Sequence, residues 1–279
     1  MARSTQRSSK RGRKVLHQGG INGGMDTDDL ELFESYKPKV RGMDSKKEKN
    51  KKLSKLTKES GSRMDNVVVT PQTPNQHKLW ENLQSKVLNI VSGPAGSGKT
   101  YLTAYAAAMA LRNREVLNIF ITRTMVTVGK DIGHLPGNEM EKMLPYVAPI
   151  MEYFSEFFGK EEVGKMLKAG VIRVVPVGLL RGYTFKDTFV IVDEAQNTTP
   201  HEFKTILTRV GENSQLVVLG DLDQSDLPPK AGKSGPHDFI LRMKEDSENI
   251  GLSMLTDDDV LRSELVKEVL AIYKNEIEE

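Results

Sequence analysis

The architecture of the chain turns on residues 87–112, VLNIVSGPAGSGKTYLTAYAAAMALR. An apolar run, Val87–Ser92, enters a glycine-rich loop, and an alanine-rich helical segment follows from Lys99 to Arg112. Positions 93–100 satisfy GxxxxGK[ST] throughout. Gly93, Gly96 and Gly98 permit backbone angles that gather several N–H groups into one concavity. The helix opening at Lys99 aims its positive end at the same point. The Lys99 ammonium is then in reach of the β- and γ-phosphates of a nucleoside triphosphate, with the Thr100 hydroxyl left for Mg²⁺. Pro94, Ala95, Ser97 and Tyr101 complete the expected nucleotide-binding run. A chance glycine-rich turn would lack the strand before it and the helix behind it.

Downstream, Phe189–Gln196 reads FVIVDEAQ. Four apolar residues deliver two adjacent carboxylates, a pattern suited to phosphoryl transfer to water. Asp193 is the expected Mg²⁺ ligand and Glu194 the group that polarises the attacking water. An Asp-Glu pair alone is common on surfaces; behind a buried strand and downstream of a P-loop it gains meaning. A water-activating glutamate also argues against a kinase, which must exclude water. A third run, Leu216–Gln224 (LVVLGDLDQ), ends in Gly-Asp-x-x-Gln. Gln224 at that edge is a candidate γ-phosphate sensor; a plain Asx turn after a strand is the alternative.

Other apolar runs complete the pattern: Val116–Thr122 and Val171–Val175. With Val87–Ser92, Phe189–Val192 and Leu216–Leu219 they are nearly continuously apolar, as strands of a parallel sheet covered on both faces should be. Helical segments are expected at Lys99–Arg112, Glu139–Phe158 (broken near Pro145 and Pro149), Pro200–Val210 and Asp258–Ile277. Alternation of this kind predicts an α/β, doubly wound, mainly parallel sheet.

The 279 residues divide by charge. Residues 1–65 carry 17 Lys+Arg against 9 Asp+Glu, and the rest carry 23 against 29. The first 65 residues are Lys-, Arg-, Ser- and Gly-rich with few apolar residues, and are expected to be a disordered basic tail ahead of one domain over residues 66–279. The tail reads either as a solvated extension or as a sequence-independent nucleic-acid arm. There is no cysteine, which excludes disulfides and thiolate zinc sites. No apolar run is long enough to span a bilayer and no secretory segment opens the chain, so a cytoplasmic location is expected, host cytoplasm if the protein is viral.

Several stretches together resemble the PhoH family of P-loop ATPases, whose RecA-like domain is related to superfamily-one helicases. They are residues 70–80 (TPQTPNQHKLW), 93–102 (GPAGSGKTYL), 133–137 (GHLPG), 181–185 (RGYTF), 189–211 (FVIVDEAQNTTPHEFKTILTRVG), 219–228 (LGDLDQSDLP) and 258–266 (DDVLRSELV). The resemblance implies ATP and Mg²⁺ as cofactors, and it assigns further roles. Gln76 matches a glutamine that reads adenine. Asp221 and Gln224 match a motif coupling the γ-phosphate to nucleic acid or to a neighbouring subunit. Arg123 falls where related helicases contact nucleic acid, so RNA or single-stranded DNA is the expected partner. A lone RecA-like domain lacks the second domain that supplies an arginine finger; Arg181, Arg209 or Arg262 would act in trans, within a homo-oligomeric ring such as a hexamer. Two departures from larger members stand out. No nuclease-like domain follows Asp258, which removes ribonuclease activity from the expectation, and the basic tail stands in place of a folded N-terminal domain. The competing reading is a nucleotide-dependent nucleic-acid-binding or assembly module with little turnover.

Overall fold

Strands apolar on both faces need cover from both sides, and parallel pairing with crossover helices supplies it. The computed structural model describes residues 64–124, 139–222, 224–228, 232–243 and 247–260. Within them, β1 (Leu88–Ser92), β2 (Asn118–Arg123), β3 (Ile172–Val174), β4 (Thr188–Asp193) and β5 (Gln215–Gly220) lie within two residues of the predicted runs. A sixth strand, β6 (Ile250–Met254), joins them in the order β3-β2-β4-β5-β1-β6, and every pairing is parallel. The fold is therefore the expected doubly wound α/β sheet. The helices are α1 (Pro74–Ser85), α2 (Lys99–Arg112), α3 (Glu139–Phe158), α4 (Lys160–Ala169), α5 (Pro200–Leu207) and α6 (Gly235–Arg242).

Alternate strand residues feed two cores. Val91, Ile119, Ile121, Phe189, Ile191, Val217 and Leu219 meet α1 to α4 on one face. Ile90, Phe120, Val190, Val192, Leu216 and Val218 meet Phe203 and Ile206 of α5 on the other, where Phe239 of α6 also packs. Both α1 and α5 begin at a Thr-Pro pair. Thr73 accepts from the Gln76 N–H, and Thr199 forms a reciprocal capping box with Glu202, each with proline at the first helical position.

α3 is a correction to the sequence reading: it runs unbroken through Pro145 and Pro149. Each proline forfeits a helical hydrogen bond, at about 3 kcal/mol. Both lie on the exposed face. The opposite face buries Leu144, Val147, Ile150, Met151, Phe154, Phe157 and Phe158. At roughly 1.5–3 kcal/mol per large apolar side chain, that burial outweighs the two losses. The predicted helix over Asp258–Ile277 lies outside the described residues after Val260, as do residues 133–137 and the tail before Met64. Its opening residues form a short 3-10 turn, Asp257–Asp259.

The register sets the edge on which the motifs converge. Ser92 pairs with Gly220 of β5 and Met254 of β6, and Arg123 of β2 pairs with Asp193 of β4. Behind that edge, the Gly235 N–H donates to the Thr198 carbonyl at 2.7 Å, pinning α6 to the segment that follows β4. A Cβ at Gly235 would stand 2.3 Å from Cβ of the buried Phe203 and 2.8 Å from the Thr198 hydroxyl. Because the obstructing atom sits next to backbone, it cannot swing aside. Gly235→Ala should therefore destabilise the fold by about 1–3 kcal/mol, read as a lower midpoint at unchanged slope in urea unfolding.

Candidate functional site

The P-loop has the conformation that its glycines allow. Gly96 and Gly98 have φ of 87° and 86°, in the left-handed region. Gly98 is the N-cap of α2 and offers no side-chain cap, so the first turn of that helix opens onto the loop. Gly93 is buried where a Cβ would meet Leu255 Cβ at 2.7 Å. Lys99 curls back, its Nζ donating to the carbonyls of Gly93 at 2.8 Å and Pro94 at 3.0 Å. Ser97 is fully buried and donates its hydroxyl to the Pro94 carbonyl at 2.8 Å. Ala95 and Gly96 form the exposed tip.

Two residues assigned to the nucleotide are otherwise engaged. Gln76 is only 2% exposed. Its Nε2 donates to the Ser97 carbonyl at 3.0 Å and its Oε1 accepts from the Gln72 N–H at 2.8 Å. Here the amide braces the P-loop from behind; contact with an adenine edge would require it to exchange those bonds. Tyr101 turns its ring onto Tyr153 and Phe157 of α3 and donates to Glu156 at 3.3 Å, so only its backbone faces the loop. Burial, first, and Glu156, second, push its phenol pKa up.

β4 delivers the acid pair. Asp193 is 8% exposed, and burial raises its pKa; Glu194 adds to the rise, while Arg123 and Lys99 oppose it. β1 and β4 both border β5 and end on the same edge, which sets the phosphate loop and the acid pair side by side. Glu194 takes a left-handed conformation, φ 53° and ψ 37°, which costs a non-glycine residue of order 1–3 kcal/mol. That turn lifts its carboxylate off the strand end. Thr124 secures the turn, its N–H donating to the Asp193 carbonyl at 3.0 Å and its hydroxyl to the carbonyls of Asp193 and Glu194.

Arg123, expected on a nucleic-acid surface, sits on the acid pair. Its guanidinium donates to Asp193 Oδ2 at 3.3 Å, to Glu194 Oε1 at 2.9 Å and to the Tyr146 carbonyl at 2.9 Å. Its side chain is 26% exposed and borders a cleft of about 390 Å³ between the Pro176–Leu180 segment and α5. Gln196, which the sequence reading did not single out, holds the other oxygen of Glu194, Nε2 to Oε2 at 2.6 Å. An amide two residues after a strand-end glutamate was the only signal available for it. Gln224 is exposed, on a turn where its N–H donates to the Asp221 carbonyl at 3.2 Å. Arg209 donates to the Thr205 carbonyl and the Thr208 hydroxyl of its own helix end. The Arg181 side chain and Arg262 lie outside the described residues.

Among the described residues, no three His, Asp or Glu side chains form an all-protein metal cage. Mg²⁺ does not ask for one: it binds through one or two protein oxygens, waters and phosphates. The Thr100 hydroxyl and the buried Asp193 carboxylate fit that requirement.

The raised pKa of Asp193 carries a stability prediction. The unfolded chain releases this proton near the ordinary value of 3.8, the folded chain at higher pH, so the group opposes folding once pH rises past the folded value. Asp193→Asn should melt a few degrees above wild type at neutral pH without nucleotide, and the advantage should vanish as pH falls below the ordinary carboxylate range. Calorimetry across that range checks it.

Comparison with known proteins gives the family. Residues 68–274 match the family model described as "PhoH-like protein". A PhoH-like protein of Mycobacterium tuberculosis (strain ATCC 25618 / H37Rv) is 38% identical over 207 residues, 74% of this chain and 58% of its own. Protein PhoH of Escherichia coli (strain K12) is 37% identical over 193 residues, 68% of this chain and 54% of its own. The chain thus spans just over half the length of these curated relatives. Among solved structures, the large terminase from a thermophilic bacteriophage aligns weakly, at TM-score 0.42 and 15% identity over 72% of this chain and 50% of that one. The region shared with the PhoH proteins holds the phosphate loop, the acid pair and the strand between them, and the chain belongs to the PhoH family.

Proposed function

We propose that residues 66–279 form an ATPase that hydrolyses Mg²⁺-ATP at the C-terminal edge of the sheet, coupled to RNA or single-stranded DNA in a homo-oligomer. The observation that carries the reading is the acid pair at the end of β4, beside Lys99 and beside an uncapped helix N-terminus. Phosphates entering the loop replace the Gly93 and Pro94 carbonyls as partners of Lys99. Mg²⁺, held by Thr100 and Asp193, would neutralise charge on the β- and γ-phosphates. Glu194 takes a proton from water as its oxygen attacks the γ-phosphorus; the bond to the β–γ bridging oxygen breaks and ADP leaves. Gln224, exposed on the turn after β5, would respond to the γ-phosphate.

Both Glu194 oxygens are engaged, by Arg123 and Gln196. That engagement favours low basal turnover. It supports coupling to a second ligand, and it equally gives weight to the reading of an assembly module in which hydrolysis is a slow timer. Among the described residues, the cleft beside Arg123 offers that one cation, with Glu202 and several apolar side chains around it; a nucleic-acid phosphate at its mouth would compete for the guanidinium. A trans-acting arginine would come from a neighbouring copy, with Arg181 and Arg262 as candidates. The basic tail would add sequence-independent attraction.

Variants at the site, added nucleic acid and removal of the tail test this. Lys99→Ala should lose Mg²⁺-ATP binding by equilibrium titration, whereas Glu194→Gln should bind normally and turn over at least about 100-fold more slowly. Hydrolysis retained by Glu194→Gln would remove the role given to that carboxylate. RNA or single-stranded DNA should stimulate the wild-type rate. Removing residues 1–65 should weaken that binding and flatten its salt dependence while leaving unstimulated ATPase intact; equal affinity with and without the tail across a salt series would exclude the arm.

A further inference from the structure

Gln196 is 3% exposed, and both ends of its side chain are used. Nε2 donates to Glu194 Oε2 at 2.6 Å, and Oε1 accepts from the Asp221 N–H at 3.2 Å. Only this orientation of the amide satisfies both neighbours, since reversing it would set oxygen against carboxylate and NH₂ against N–H. The space around it is closed: a Cβ on Gly220 would stand 2.7 Å from Oε1. Its main-chain carbonyl accepts from the Ser225 hydroxyl at 3.0 Å, and the neighbouring Asn197 Oδ1 accepts from the Asp226 N–H at 3.0 Å. The segment after β4 is thereby stapled to the turn after β5, the turn that carries Gln224.

The two partners of Glu194 differ in kind. Arg123 is a partly exposed cation at the edge of a cleft, with two other acceptors at hand. Gln196 is neutral, buried and pinned at its far end. An anion in the cleft, or the arrival of the metal-bound nucleotide, can draw Arg123 away and free Oε1 of Glu194. Oε2 then stays on Gln196, and the carboxylate keeps its direction.

We propose that Gln196 is a positioning residue for hydrolysis, fixing the carboxylate of Glu194 and linking it to the Asp221–Gln224 turn so that base and sensor move as one unit. The proposal rests on the reading of Glu194 as the group that activates water. It differs from a purely structural staple because its effect must pass through Glu194.

The test is a double-mutant cycle with Glu194→Gln, in single-turnover hydrolysis of radiolabelled ATP with nucleotide affinity measured in parallel. Gln196→Leu should keep Mg²⁺-ATP affinity within about threefold while slowing hydrolysis about 10–100-fold. In the Glu194→Gln background the same change should slow it no further. Gln196→Glu keeps the shape and the acceptor for Asp221 but removes the donor to Glu194; it decides the matter if the leucine variant does not fold, and should show the same loss at unchanged affinity. A wild-type rate in Gln196→Glu, or a further full loss in the double variant, overturns the proposal. A wild-type protein that binds ATP without hydrolysing it overturns the ATPase reading as well; normal wild-type hydrolysis with an unaffected Gln196→Glu overturns the positioning role alone.

Discussion

Asp193 places a carboxylate at the end of a strand buried along its whole length, and such a charge is costly unless other groups compensate it. Compensation comes from two cations on different elements, Arg123 at the end of β2 and Lys99 at the start of α2. Both depend on the order of the sheet. Arg123 reaches Asp193 because β2 pairs with β4 in the register that sets the two opposite each other. Lys99 comes near because β1 and β4 each border β5 and end on the same edge. A one-residue slip of β2 against β4 would send Arg123 to the other face and leave the acid pair with one cation fewer.

The same logic governs the phosphate loop. A cradle of N–H groups and a lysine is an excess of positive potential when nucleotide is absent. Lys99 meets this by bonding two carbonyls of its own loop. Those bonds keep the loop formed, so phosphate binding exchanges partners and does not have to build the site. Gln76 and Ser97 brace the loop from behind. Behind them, Asp259 accepts from Asn75 and from the Thr256 N–H, and its carbonyl lies 3.5 Å from Gln76 Nε2. The residues just beyond β6 are in this way part of the support under the loop.

What was legible in the sequence follows from which signals are local. Five strands were readable because a strand covered on both faces must be apolar at every position. β6 was not, since in Ile-Gly-Leu-Ser-Met only Gly251 and Ser253 are buried, where they serve close packing and a bond from Asn82, while Ile250, Leu252 and Met254 are partly or largely exposed. α1 was missed because it buries only Gln76, Leu79 and Leu83 in twelve residues. The prolines of α3 misled because their cost is local, whereas the aromatic and aliphatic face that offsets it packs on distant elements. In the site, the loop, Asp193 and Glu194 were legible by spacing. The bonds of Arg123 to the acid pair, and Gln196 altogether, were not, because these partners are set by strand order and by the direction of a side chain after a left-handed residue. Residue type alone does not encode either.

Strand order also explains why the site can be coupled. β5 lies between the strand that carries the phosphate loop and the strand that carries the acid pair, hydrogen-bonded to both. The turn after β5 is therefore attached on one side to β1, through the Gly93 N–H on the Gly220 carbonyl and the Leu222 N–H on Ser92 Oγ, and on the other to the segment after β4, through Gln196 and Asn197. Gly220 has no room for a side chain against Gln196, so the turn packs tightly on that amide. A continuous series of hydrogen bonds thus runs from the phosphate loop through this turn and Gln196 to Glu194, and Arg123 bonds the other oxygen of the same carboxylate.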